Sequence, residues 1–146
     1  LSKTYFIIHQ VGEKCLEDYI CLRDNYYHPV GFIGKELVDV LKLSKVVISR
    51  AGAGTVCELM SLQKRSVFIP LKIARKNEQF FNAMEAKKRL NSLVIEEDQV
   101  SDELLLESIE EIRRGLNSNV KTINLKNGSH YLEEEVSKFF TRLPKN

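Results

Sequence analysis

The sequence predicts an α/β fold in which helices cover both faces of a parallel β-sheet. Short runs of β-branched and aromatic residues alternate along the chain with longer stretches of helical period. The links between them are short and contain Gly, Pro or Asn, which favour turns. Such alternation is typical of βαβ units, whose helices lie on both sides of the sheet. A length of 146 residues, with 43% apolar and 29% charged residues, suits one globular domain over residues 1–146.

The first half of the chain is predicted to contain three strands and two helices. Residues 4–9 ("TYFIIH") are β-branched and aromatic, which favours a strand, and residues 14–22 carry apolar side chains at helical spacing. The remaining elements are a short strand over 26–32 that contains Pro29, an amphipathic helix over 35–43 and a short buried strand over 46–49.

The second half is predicted to continue the alternation. Its elements are a helix over 55–62, a strand over 66–69 that ends at Pro70, a helix over 77–90, a strand over 93–95 and a helix over 101–114. Asn77 and Ser101 stand where N-caps of the last two helices are expected. The tail over 120–140 is predicted to be partly helical, with a break near Asn127 and Gly128.

Composition and cysteine count exclude several classes of function. A net charge of +2 is too small to indicate nucleic-acid binding. No apolar run approaches the roughly 18 residues of a transmembrane helix, and no signal peptide is visible. Cys15, Cys21 and Cys57 include no C-x-x-C pair, so neither a zinc site nor a disulfide framework is indicated and a reducing compartment is expected. We expect no metal and no cofactor.

The segment "VVISRAGAGTVCELM" (residues 46–60) reads as a strand, a glycine-rich turn and a helix. Gly52 and Gly54 permit positive φ and a close approach of another group to the backbone. A helix that begins near Thr55 would direct its free N–H groups at this turn, which favours a phosphate or diphosphate ligand. The motif is neither a Walker loop nor a dinucleotide fingerprint, because no lysine follows Gly54 and Cys57 stands where a third glycine would be needed.

Neighbouring polar residues of this turn have two interpretations each. Thr55 and Glu58 form a T-x-x-E capping box, which the spacing favours, although Glu58 could also accept hydrogen bonds from a ribose diol. Arg50 either neutralises a phosphate or braces the loop. Ser49 is either a polar strand end or a hydrogen-bonding residue of the loop.

A second candidate segment, "PLKIARKNEQFFNAMEA", follows the strand over 66–69. Gln79 and Asn82 lie three residues apart on one face of the predicted helix, where their amides would contact sugar hydroxyls or simply face solvent. The nearby Phe80, Phe81 and Met84 are expected in the core rather than at a ring-stacking site.

Taken together, "FIGKELVDVLKLSKVVISRAGAGTVCEL", "VFIPL" and "NEQFFNA" resemble the C-terminal, donor-binding half of MurG-like GT-B glycosyltransferases of family 28. The likeness runs from about Thr4 to Ser101. It implies a Rossmann-like domain, one GT-B half. It also implies an inverting transfer of GlcNAc from UDP-GlcNAc to a lipid-linked acceptor of peptidoglycan synthesis.

The resemblance also implies roles for residues at matching positions. Phe32 and Ile33 would line the uracil, with the backbone of Ile33 making the base contact. Ala53, Gly54 and Thr55 would face the diphosphate and the sugar, with Ser49 and Arg50 beside them. Glu58 would hold the ribose hydroxyls. Gln79 would contact the GlcNAc hydroxyls, with Asn82 supporting it.

Two departures from the family pattern shape the expectations for the whole molecule. Lys76, Asn77 and Glu78 replace an acidic or His-rich stretch, and the family's first strand with its G-G-S loop is absent. We therefore expect a fragment that is inactive alone, with the catalytic base and the acceptor site supplied by an N-terminal domain. As part of that enzyme it would be cytoplasmic and peripheral at the inner membrane face.

Two alternatives stay open at this point. One is a soluble UDP-GlcNAc-binding subunit that docks on a membrane partner. The other is a phosphate-binding α/β module that is not a transferase. His9, His28 and His130 are poor candidates for the catalytic base, and His9 and His28, which lie in or beside predicted strands, are expected to be structural.

Overall fold

The computed structural model of the protein describes residues 4–73 and 77–115. Its strands are β1 (Ile7–Gln10), β2 (Tyr27–Val30), β3 (Val47–Ser49), β4 (Ser66–Phe68) and β5 (Leu93–Val94). Its α-helices are α1 (Leu16–Ile20), α2 (Leu37–Leu43), α3 (Ala53–Ser61), α4 (Glu78–Leu90) and α5 (Asp102–Arg114). The predicted tail over 120–140 and His130 lie outside the described residues.

The predicted order of strands and helices is confirmed, with shifts at the boundaries. The first strand begins at Ile7 rather than at residue 4, and the second is confined to Tyr27–Val30. Helix α5 begins as predicted, because the Ser101 hydroxyl accepts a hydrogen bond from the Leu104 amide at 3.2 Å. Asn77 does precede α4, but it adopts a left-handed conformation and its side chain makes no capping hydrogen bond, so that predicted cap is wrong.

Strand pairing is parallel throughout, but the hydrogen-bonded ladders form two sets, β1-β2 and β3-β4-β5. The carbonyl oxygens of Tyr26 and Val30 accept from the amides of Ile7 and Val11. Because alternate residues of a strand bond to opposite sides, the backbone of Pro29 points away from β1. Proline has no N–H to donate there, so β2 is an edge strand.

Strand β4 separates two hydrophobic clusters, because consecutive residues of a strand point to opposite faces. Phe68 and Val67 are both fully buried, but they belong to different clusters. The Phe68 cluster contains Leu59 of α3 and Ala86 of α4. The Val67 cluster contains Ile112 of α5. The expectation of helices on both faces of a parallel sheet is therefore confirmed for this set of strands.

Within the described ranges, no helix has the length and apolar character needed to cross a membrane.

Candidate functional site

The glycine-rich turn leads into helix α3 earlier than predicted. Gly52 is the N-cap residue, and the first helical hydrogen bond runs from the Val56 amide to the Gly52 carbonyl at 3.0 Å. Gly54 therefore lies inside the first turn of α3 rather than in the loop. Among the described residues, no group accepts a hydrogen bond from the amides of Ala53, Gly54 and Thr55. This free N-terminal turn, which we call the α3 amide cradle (residues 53–55), suits an anionic ligand.

The capping box predicted for Thr55 and Glu58 is wrong. No side chain caps α3, and Thr55 is its third residue, so Glu58 lies one turn beyond the position where it could reach the cap amide. Glu58 is partly buried, and its carboxylate has no partner among residues 4–73 and 77–115. The structural alternative to ribose binding is thus removed, and Glu58 presents an unused hydrogen-bond acceptor near the α3 amide cradle.

Gly52 and Gly54 do not use the positive φ that glycine permits. Gly52 has φ −63° and ψ 145°, and the positive-φ glycines of the described chain are Gly12 and Gly115. A Cβ atom built at either Gly52 or Gly54 meets no atom within 4 Å. Because Gly52 and Gly54 have no side chain, the space above their backbone is open, which permits the close approach of another group.

Arg50 braces the turn, as one of its two interpretations expects. Its Nη1 atom donates to the Ile69 carbonyl at 3.1 Å, and its Nη2 atom lies 2.9 Å from Glu97 Oε1. The guanidinium thereby joins the carboxyl ends of β3 and β4 to the turn after β5. Sequence reasoning missed Glu97, although an acidic residue that closely follows a strand at this edge is a usable signal. The hydroxyl of Ser49 is buried and has no hydrogen-bond partner in the described part of the chain.

Helix α4 brings two predicted residues against this edge of the sheet. The Asn82 amide donates from Nδ2 to the carbonyl of Ala51, in the glycine-rich turn, at 3.1 Å. Gln79 Oε1 accepts from the Leu71 amide at 3.0 Å, which leaves its own NH₂ group without a described partner. Both amides therefore support the loops around the α3 amide cradle, and neither is a merely solvated side chain.

Phe80, Phe81 and Met84 are exposed, so their predicted place in the core is wrong. Phe81 is 65% exposed and Met84 is 41% exposed. The buried residues of α4 are Ala83, Ala86 and Leu90, and the two alanines allow α4 to pack closely on the core. A cavity of about 390 Å³ opens beside the helix start, lined by Pro70, Leu71, Lys72, Asn77, Phe80, Glu96 and Glu97.

Opposite charges meet at the rim of this cavity. Lys72 forms an ion pair with Asp98, and its amide donates to Glu97 Oε2 at 3.4 Å. The hydrogen bond between the two side chains raises the pKa of Lys72 and lowers the pKa of Asp98. Both side chains are more than half exposed, so the pair orders the loop and adds little to stability.

Phe32 and Ile33 lie in the loop after β2. Phe32 is 68% exposed, and the Ile33 amide donates to Gln10 Oε1 at 2.9 Å. Among the described residues, no hydrogen bond or ion pair joins this loop to the α3 amide cradle. Gln10 was missed by sequence reasoning, although its place at the carboxyl end of β1 is again the signal.

His9 and His28 lie within β1 and β2, as expected for structural histidines. His9 Nδ1 is 2.8 Å from the Tyr27 hydroxyl, and its ring packs edge-on against Tyr19. Burial raises the pKa of Tyr27. In the part of the chain that the structure describes, no cluster of three His, Cys, Asp or Glu side chains is suited to hold a metal ion.

A protein-family model, the glycosyltransferase family 28 C-terminal domain, matches residues 1–136. The chain is 36% identical over 143 residues to the UDP-N-acetylglucosamine–N-acetylmuramyl-(pentapeptide) pyrophosphoryl-undecaprenol N-acetylglucosamine transferase of Clostridium perfringens strain ATCC 13124. It is 32% identical over 145 residues to the Clostridium tetani protein of that name. These alignments cover 94% and 97% of the chain, but it spans only 40% of the length of either relative.

Two solved structures share the fold. MurG of Acinetobacter baumannii superposes with a TM-score of 0.60 at 21% identity, over 90% of this chain and 42% of that one. The glycosyltransferase of kitacinnamycin superposes with a TM-score of 0.55 at 16% identity, over 90% of this chain and 34% of that one. The Rossmann-like α/β architecture predicted from the sequence is thereby confirmed.

Proposed function

Because this chain belongs to the glycosyltransferase family 28 C-terminal domain family, we propose that it is the donor-binding part of a glycosyltransferase. The reaction transfers GlcNAc with inversion from UDP-GlcNAc to a lipid-linked intermediate of peptidoglycan synthesis. The activity stated in the names of the Clostridium relatives supports this assignment, since the likeness covers nearly the whole chain. The observation that carries it is the α3 amide cradle next to an unpartnered Glu58.

The α3 amide cradle is proposed to bind the diphosphate of the donor. During transfer, negative charge grows on the departing diphosphate as the bond to the anomeric carbon breaks. Free amides and the positive end of the α3 dipole stabilise such charge without rearrangement. Arg50 holds the turn in place through Glu97 and the Ile69 carbonyl, and its half-exposed guanidinium is proposed to lie beside the diphosphate.

Glu58 is proposed to accept hydrogen bonds from the two ribose hydroxyls. Its carboxylate is partly buried and has no partner among the described residues, so ligand binding would satisfy it. Gln79 is proposed to contact GlcNAc hydroxyls through its NH₂ group, which is left over after its oxygen accepts from Leu71. Asn82 holds the Ala51 carbonyl and so fixes the turn. Phe32 and the backbone of Ile33 are proposed to receive the uracil.

The acceptor side of the reaction is proposed to lie outside this domain. The general base and the site for the lipid-linked acceptor would come from a further domain or partner, which would bring this chain to the inner face of the cell membrane. Residues 1–146 would then form the donor domain.

The test is calorimetric titration of UDP into the full chain and into Glu58→Gln. Loss of one charge-assisted hydrogen bond weakens binding by about 10- to 100-fold. The control Glu85→Gln removes an α4 carboxylate whose partner among the described residues is Arg89 of the same helix, so UDP affinity should not change. Titration of 2′-deoxy-UDP completes the design, because the Glu58→Gln penalty should shrink for a ligand that lacks one hydroxyl.

Two results would contradict the proposal. If NAD and UDP bind equally well to the unmodified chain, the domain is a general phosphate-binding module. If Glu58→Gln lowers the melting temperature strongly while UDP affinity is unchanged, Glu58 has a structural role.

A further inference from the structure

We infer that Gln10 is a built-in competitor of the donor's base, holding the Ile33 amide in the free protein until a nucleotide displaces it. This inference rests on the proposed function, in which the backbone of Ile33 meets the uracil. The Ile33 amide is one donor, and Gln10 Oε1 already accepts from it at 2.9 Å. A base carbonyl that takes the same hydrogen must first break this bond.

The chemistry of a carboxamide suits it to imitate uracil. Because a backbone N–H can only donate, the oxygen of the Gln10 side chain faces Ile33 and its NH₂ group lies beside that oxygen. Uracil presents a carbonyl oxygen next to a ring N–H, which is the same pair of acceptor and donor. Gln10 therefore satisfies the Ile33 amide in the way a carbonyl oxygen of the base would.

The topology places Gln10 where it can do this. It is the last residue of β1 and pairs in register with Val30, the last residue of β2. Ile33 follows Val30 by three residues, so the side chain from the end of β1 reaches the loop after β2. Gln10 is exposed, so it can leave the amide without opening the core.

The loop does not depend on Gln10 for its position. At the start of the loop, the Val30 carbonyl accepts from the Val11 amide at 2.9 Å. At its end, the Gly34 carbonyl accepts from the Leu37 amide at 3.1 Å. Gly31 is buried between these anchors. Removing the Gln10 side chain should free the Ile33 amide and leave the loop in place.

The experiment compares UDP binding by the full chain and by Gln10→Ala, using calorimetry. Gln10→Ala should bind UDP about 2- to 10-fold more tightly, which corresponds to one ordinary hydrogen bond no longer broken on binding. Gln10→Glu should bind UDP more weakly, because a carboxylate accepts more strongly from the Ile33 amide and repels the diphosphate. In ¹⁵N NMR, the Ile33 amide resonance should move in Gln10→Ala, and UDP should move it in both proteins.

Inorganic pyrophosphate is the control ligand, since it has no base. Its affinity should be the same for the unmodified chain and Gln10→Ala. Weaker or unchanged UDP binding by Gln10→Ala would overturn the inference, as would an equal gain for pyrophosphate. Failure of the unmodified chain to bind UDP at all would instead refute the proposed function, so the two failures are distinguishable.

Discussion

Replacing Gly54 with alanine should separate the stability of this domain from its ligand binding. Gly54 is the second residue of α3, its φ is not positive, and a Cβ atom added to it meets nothing within 4 Å. Alanine favours a helix over glycine by about 0.5–1 kcal/mol, because glycine loses more backbone entropy on folding. For a chain of this size, the melting temperature should therefore rise by about 1–4 °C.

The same methyl group should weaken UDP binding. It enters the open space above the α3 amide cradle, where the diphosphate is proposed to lie against the backbone. Losing one charge-assisted hydrogen bond to a phosphate oxygen costs about 1.5–3 kcal/mol, or roughly a 10- to 100-fold loss of affinity. The variant should thus be more stable and bind less.

Thermal unfolding by circular dichroism and calorimetric titration with UDP measure the two effects on one preparation. Gly115→Ala is the matched control, because Gly115 ends α5 with φ +63°, which alanine tolerates poorly. That variant should melt at a lower temperature and keep its UDP affinity. A Gly54→Ala protein that binds UDP as well as the unmodified chain would refute the location proposed for the diphosphate.

Two further predictions concern folding rather than binding. Ser101→Ala should lower the free energy of unfolding by about 1 kcal/mol, because the Leu104 amide loses its cap, and Ser101→Asp should restore it in urea unfolding. Tyr5→Phe should raise the pKa of Glu110 in a ¹³C NMR titration, because the Tyr5 hydroxyl donates to that carboxylate and, with Arg113, lowers its pKa. Because the pKa of Glu110 is lower in the folded than in the unfolded protein, its carboxylate stabilises the fold above the unfolded pKa of 4.5, and this contribution is lost as the pH falls. The difference in unfolding free energy between the unmodified protein and Tyr5→Phe should therefore shrink below pH 4.5. An unchanged Glu110 pKa in Tyr5→Phe would contradict this reasoning.

The individual strands and helices could be predicted because the residue pattern that favours each one lies within its own segment. The β-branched run before Ser49 and the apolar spacing after Ser101 predict a strand and a helix without knowledge of distant residues. The division of the strands into two ladders was not predictable in this way, since pairing depends on hydrogen bonds between segments far apart in sequence. Pro29 did indicate part of the topology, because a proline within a strand favours an edge position in the sheet.

The candidate site was predicted as a set of residues, but several of their roles were not. Phe80 and Phe81 were expected in the core because both side chains are apolar. The face of α4 that packs on the core instead carries Ala83 and Ala86, whose small side chains permit a close approach. Arg50 had two equal interpretations in the sequence, and its bracing role depends on its distant partner Glu97. Only three-dimensional contacts contain that information.

The start of α3 shows how a distant residue can decide the chemistry of a local motif. T-x-x-E spacing favours a helix that begins at Thr55, which would use the Glu58 carboxylate as a cap. Ala51 is fully buried and its carbonyl accepts from Asn82 of α4, so the chain turns into α3 before Thr55 is reached. Asn82, thirty-one residues from Ala51 in sequence, thereby helps to leave both the α3 amides and the Glu58 carboxylate without partners among the described residues. Asn82 lies on the same helix as Gln79, so its hydrogen bond to the turn helps to position the proposed sugar and diphosphate contacts relative to each other.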